Sequence, residues 1–155
     1  MALVKDQNSY VTVLEADEYF STRLHSEIWD SADVATKEKA LVTSTKLIDN
    51  QNFLGTATGT FLSFPRNCVY FDPRSGQEVV LEAETPVNIL TAVKEYAIYL
   101  LSNEEALNPS QSVRSLVIEE IELIDISTFE SMPANVYKLL RPLLSSGSHV
   151  WWRAN

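Results

Sequence analysis

Two histidines, one cysteine and a scatter of carboxylates are the residues with chemistry to offer, and their spacing assembles none of them into a working set. His25 and His149 lie far apart, near no cysteine cluster and no HxxxH pattern, whereas a metal site needs three or four ligands at workable spacing. Cys68 falls in the apolar run Asn67-Cys68-Val69-Tyr70-Phe71, where a buried, inert thiol is expected. Glu119 and Glu120 are neighbours in a strand-like run, so their side chains point to opposite faces and cannot share one substrate. Gly55-Thr56-Ala57-Thr58-Gly59 lacks the Lys-Ser/Thr of a phosphate loop and the third glycine of a dinucleotide fingerprint. Gly-x-Ser-x-Gly does not occur, and Ser145-Ser146-Gly147-Ser148 lacks a strand–turn–helix setting. No catalysis, no metal and no cofactor is expected.

The sharper signals concern contact. Val150, Trp151, Trp152 and Arg153 follow the Ser/Gly spacer close to the end of the sequence, and tryptophan and arginine are over-represented among binding hot spots. These residues either fold back as a lid over the domain's own core or dock into a partner groove. Base stacking is the weaker option, because Arg153 alone supplies nearby positive charge. The whole chain carries 12 Lys and Arg against 21 Asp and Glu, a net charge of −9. That balance argues against broad affinity for nucleic acid, which draws on clustered cations. Within residues 103–126, six carboxylates face Arg114 alone, while residues 127–155 hold Lys138, Arg141 and Arg153 against Glu130. Such an acidic segment beside a mildly basic one either complements neighbouring copies or is a solvated surface.

Positioning these residues falls to a single domain over 1–144, followed by a flexible tail over 145–155. At 155 residues the chain is long enough to bury a real core. No apolar run approaches the roughly 18 residues of a membrane span, and the first residues lack a cleavable apolar leader, so neither membrane nor secretion is expected. One cysteine excludes an intrachain disulfide and suits a reducing cytosol.

Thr12-Val13-Leu14-Glu15 matches a capping box, and Ala16, Tyr19, Phe20, Arg23 and Leu24 recur at helical spacing, predicting a helix over 14–24. Ile28 and Trp29 then read as buried plugs in a connection. Asp33 caps a second helix to about Asp49, with Val34, Ala40, Leu41, Leu47 and Ile48 inward and Lys37, Glu38, Lys39 and Lys46 outward. Residues 67–71 and 77–81, joined by Asp72-Pro73-Arg74-Ser75-Gly76, predict a β-hairpin. Thr85-Pro86 starts a central helix ending near Asn103, with the threonine as cap and proline at the first helical position. Val113–Ile126 is β-branched and reads as a strand, bulged near Glu119-Glu120, whose edge wants cover from another chain. Pro133 starts the last helix, and Pro142 should kink or shorten it. The expected fold is mainly α: a small bundle of about four helices with a β-hairpin, an extended strand or arm, and a C-terminal tail.

In this order the segments resemble the tailed-bacteriophage head–tail connector, or adaptor, family. The resemblance rests on Ser9-Tyr10-Val11-Thr12 with Glu15-Ala16-Asp17-Glu18-Tyr19-Phe20, on Phe64-Pro65-Arg66, on Thr85-Pro86-Val87, and on Val113-Arg114-Ser115 before the Leu-rich last helix. It covers most of the chain. It implies a virion structural protein at the head–tail interface, assembled in the host cytoplasm, with about a dozen copies in a ring under the portal protein. The ring would extend the DNA channel toward a downstream tail, stopper or nozzle protein, and genomic DNA would pass without specific binding. Val150, Trp151, Trp152 and Arg153 would be the portal anchor; Glu119, Glu120, Ile121, Glu122 and Leu123 would face a neighbour or the tail. Some relatives carry a DnaT-like single-stranded-DNA-binding label, so a replication accessory protein is the alternative. A small bacterial interaction or regulatory module is a third class.

Overall fold

The computed structural model describes residues 2–103, 107 and 132–145. The predicted strand over 113–126, including Glu119–Leu123, lies outside the described residues, as do Val150–Arg153.

The capping box forms as its spacing requires. The Thr12 hydroxyl accepts from the Glu15 amide at 3.2 Å, and the Glu15 carboxylate accepts from the Thr12 amide at 2.8 Å, opening α1 (Val13–Phe20). α1 ends four residues short of the predicted boundary. The Ser21 and Thr22 hydroxyls donate to the carbonyls of Glu18 and Tyr19, and His25 takes a left-handed backbone, φ 60°. Leu24, expected on the apolar face, is therefore 82% exposed. The connection also contains a short helix, α2 (Glu27–Ser31), which buries Trp29 but leaves Ile28 half exposed.

α3 (Val34–Asp49) begins where Asp33 accepts from the Thr36 amide at 3.2 Å. Ala40, Leu41 and Ile48 are buried as the periodicity demands, and Ser44 and Thr45 are buried with them. Tertiary packing holds these weak helix formers in place. Two positions differ from expectation: Val34 is exposed, and Lys37 turns inward.

The middle of the chain makes a three-stranded antiparallel sheet in the order β1 (Thr56–Ala57), β2 (Arg66–Asp72), β3 (Gln77–Glu84). β2 and β3 are the predicted hairpin, registered Cys68 to Leu81, Val69 to Val80 and Tyr70 to Val79. The register slips between Arg66 and Cys68. There the Asn67 side chain accepts from the amide of Ala83, whose φ is +54°.

α4 (Val87–Ser102) is the central helix, in contact with α2, α3 and the last helix, α5 (Ala134–Leu140). Its start differs by one residue from expectation: Pro86 is the extended cap at ψ 149°, and Thr85 makes no cap hydrogen bond. α5 stops at Leu140, and a 3₁₀ turn over Arg141–Leu143 carries Pro142, so the proline shortens the helix. The Leu54 amide donates to the Leu143 carbonyl and the Ser145 amide to that of Asn52, tying this end of the fold to the middle segment. The described residues thus hold five helices and a small sheet around one core. The helices-plus-hairpin expectation stands, while "mainly α" understates the sheet.

Candidate functional site

Three places concentrate polar chemistry, and two of them are closed upon themselves. The first centres on Glu95, which lies in the apolar stripe of α4 yet is buried. Its carboxylate accepts from the Tyr19 hydroxyl at 2.7 Å, from Arg23 Nε at 2.8 Å and Nη2 at 3.0 Å, and from Asn135 Nδ2 at 3.1 Å. Burial and the neighbouring Glu95 push the Tyr19 phenol up to about 12. The Glu95 hydrogen bond also holds the Arg23 guanidinium above its ordinary range. A cavity of about 230 Å³ lies beside this cluster, with His25, Tyr99 and Ser102 in its wall. Because both carboxylate oxygens are already engaged from α1, from the segment after it and from α5, the cluster clamps these three parts of the chain to α4. Buried charge satisfied in this way specifies packing rather than offering a reactive group.

The second place is the Phe64-Pro65-Arg66 element. The Arg66 guanidinium donates to the carbonyls of Leu54 at 2.9 Å, Ser63 at 3.1 Å, Phe53 at 3.3 Å and Gly55 at 2.8 Å. It lies 6.0 Å and 5.8 Å from the ring centres of Phe53 and Phe64, within cation–π range. Beside it the Tyr10 hydroxyl donates to the Asp49 carboxylate and accepts from the Phe64 amide at 3.0 Å; the Ser63 amide donates to Asp49 at 3.1 Å. Burial, and then Asp49, hold the Tyr10 phenol far above its usual range. Arg66 is thus a staple for the loop between α3 and β2, with its donors turned away from solvent.

The third place is open. On one face of the hairpin Val69, Phe71 and Val80 are 54%, 58% and 61% exposed, and Glu78 and Glu82 stand on the same face by strand alternation. The opposite face carries Cys68 and Leu81 inward. Cys68 is buried as expected, and burial pushes its thiol up, away from reactivity. An open groove of about 620 Å³ lies where the two strands pair, lined by Asn67, Val69, Val80, Glu82 and Ala83 and also by Cys68 and Leu81 of the inward face.

The fate of the cations bears on nucleic acid. Ten of the chain's 12 Lys and Arg are described. Lys5 pairs with Glu15, Arg23 with Glu95 and Lys37 with Asp17, the last at 2.9 Å. Arg66 is committed to carbonyls, and the Lys94 ammonium lies 4.8 Å from the Tyr19 ring centre, its pKa lowered by burial. Lys39, Lys46, Arg74, Lys138 and Arg141 make no side-chain hydrogen bond or ion pair among the described residues. Among the described residues the exposed aromatics Phe61, Phe71 and Tyr137 stand on a loop, on β2 and on α5. On α5, Tyr137 has Lys138 and Arg141 beside it, all three exposed.

Among the described residues no group of three His, Cys, Asp or Glu side chains is placed to hold a metal ion, and no helix is long and apolar enough to cross a membrane. The spacing of the sequence singled out neither Glu95 nor Lys37. A lone glutamate inside an otherwise apolar helical stripe was the available signal for the first.

What fold and surfaces define together is a small helix-plus-hairpin module in which Glu95 and Arg66 are engaged by groups of the same chain. The chain belongs to the family described as "Putative DnaT-like ssDNA binding protein", whose model matches residues 2–154. No curated protein matches it, and no solved structure does.

Proposed function

We propose that this chain is a virion structural protein: a head-to-tail adaptor, copies of which form a ring under the portal and extend the DNA channel toward the tail, without catalysis. The observation that carries this reading is the commitment of Lys5, Arg23, Lys37, Arg66 and Lys94 to partners inside the chain of net charge −9. A chain whose 21 carboxylates outnumber its 12 cations, half of the described ones already engaged, repels phosphate, which suits a duct that DNA must slide through and suits a strand-gripping protein poorly. The residues that resemble the connector family also perform definable structural work here. Thr12 and Glu15 cap α1, Tyr10 and Arg66 fix the loop before β2, and Pro86 launches α4.

In this reading Val150, Trp151, Trp152 and Arg153 anchor the ring to the portal, and Glu119–Leu123 face a neighbouring copy or the next tail component. The test is to mix the purified protein with its cognate portal and image the product by electron microscopy, beside a variant truncated after Ser148. A ring on the portal that the truncation abolishes supports both the adaptor role and the anchor. A ring that survives truncation keeps the role and removes the anchor. Absence of any ring overturns the reading.

The second reading, a single-stranded-DNA-binding or replication accessory protein, draws on the description of the family and on Tyr137, Lys138 and Arg141, an exposed aromatic with two cations that have no ion-pair partner among the described residues. It requires oligonucleotide binding that weakens steeply with salt and is lost with those three side chains.

A further inference from the structure

We infer that the apolar face of the hairpin is one half of a head-to-tail contact between copies of this chain, the other half being the exposed side of α5. This deepens the ring reading and rests on it for the closed assembly, though not for the contact itself.

The hairpin offers three large apolar side chains in one cluster. Val69 and Val80 are directly paired across the strands, and Phe71 lies two residues along β2 on the same face. Each is more than half exposed. Glu78 and Glu82 bracket Val80 on β3 and make no hydrogen bond or ion pair among the described residues. Apolar area fringed by unpaired carboxylates calls for an occupant that is apolar at its centre and cationic at its rim.

A second hairpin is a poor occupant: laying this face on its own copy brings Glu78 and Glu82 of both hairpins to one interface with no cation on it, and like charges brought together are destabilising. α5 does fit. Tyr137 and Arg141 are one helical turn apart and so are neighbours on its surface, with Lys138 alongside. The buried side of the same element is Val136, Leu140 and Leu143. Tyr137 supplies a half-exposed ring to set against the apolar surface of Val69 and Val80. Lys138 and Arg141 supply the two cations that Glu78 and Glu82 lack.

Within one chain these two surfaces do not meet. β2 touches the 3₁₀ turn after α5, and its buried Cys68 side faces the core, so Val69 and Phe71 are on the far side of the sheet from α5. Complementary patches on different sides of one molecule make a heterologous contact, which propagates from copy to copy and closes into a ring when the rotation allows.

The test combines charge exchange with cross-linking on the full chain. E78K/E82K and K138E/R141E are prepared separately and together, and self-association is measured by sedimentation at high concentration and on the cognate portal. Each pair alone should weaken association by about tenfold or more, and the combined variant, with both signs exchanged, should recover most of it. A zero-length carbodiimide applied to mixed ¹⁴N and ¹⁵N wild-type protein should yield Glu82–Lys138 or Glu78–Lys138 peptides of mixed isotope. Rings on the portal that ignore both charge reversals, with cross-links elsewhere, overturn this contact and leave the adaptor role intact. Charge-exchange rescue and the mixed-isotope link in concentrated protein, with no ring on the portal, uphold the contact and overturn the role. No association in either setting overturns both.

Discussion

Glu95 and Glu82 are the same residue type placed under opposite physical demands. Glu95 is buried on α4 with Tyr19, Arg23 and Asn135 around it, so its charge is consumed in fixing how three segments meet. Glu82 is exposed at the edge of a three-stranded sheet with no hydrogen-bond or ion-pair partner among the described residues. The net charge of −9 counts both alike, yet only the second kind can act on another molecule. The contrast extends to the cations: Arg66 donates to four backbone carbonyls, whereas Lys138 and Arg141 face solvent.

The strongest way to break that contrast is to remove Glu95. Glu95→Ala leaves the Arg23 guanidinium and the Tyr19 hydroxyl without their acceptor, and we expect a loss of about 2–3 kcal/mol in urea unfolding, tempered because Arg23 is partly exposed. Arg66→Lys keeps the charge but cannot reach four carbonyls, and about 2 kcal/mol should be lost. An Arg66→Lys protein as stable as wild type would mean the loop is held by Tyr10 and Asp49 alone.

Asp17 sharpens the comparison through pH. Burial raises its pKa, but hydrogen bonds from Lys37 and Trp29 and the charge of Lys37 outweigh this and leave it lowered. A depressed carboxylate stabilises the fold above its unfolded value of about 3.9 and loses that contribution as pH falls through the folded value. Asp17→Asn should therefore flatten the acid limb of the stability profile and cost less than about 1 kcal/mol at neutral pH, since the pair is partly exposed. Asp49 has the opposite sign. Its pKa is raised, chiefly by burial, so its contribution is full at low pH and is lost as pH rises through the folded value. Denaturant midpoints measured across the acid range separate the two residues.

The smallest expected effect on stability is at the hairpin face. Phe71→Ser with Val80→Thr should shift the unfolding free energy by less than about 0.5 kcal/mol, because these side chains are already in water. Circular dichroism should show an unchanged fold, while sedimentation should report weaker self-association. A large stability loss would place those residues in the core and remove them from any interface.

The outline of the fold was legible in the residues because its signals are local. Thr12 and Glu15 are three apart, Asp72 to Gly76 is one turn, and the α4 stripe repeats within one helix. Such patterns are settled by backbone geometry over a few residues, so the order of elements, the hairpin and the central helix follow from them. Tertiary structure alone decided which polar groups turn inward. Arg23 meets Glu95 across 72 positions, Lys37 meets Asp17 across 20, and Tyr10 meets Asp49 across 39. Each left its expected role, or entered one that no local pattern signals, because a buried charge or hydroxyl needs a partner and the partner is far off in sequence. Leu24 moved to the surface for the same reason in reverse: Arg23, held by Glu95, sets the path of the chain after α1. Periodicity ranks the faces of a helix by apolarity, whereas the pairing of its polar residues is fixed only when the helices pack.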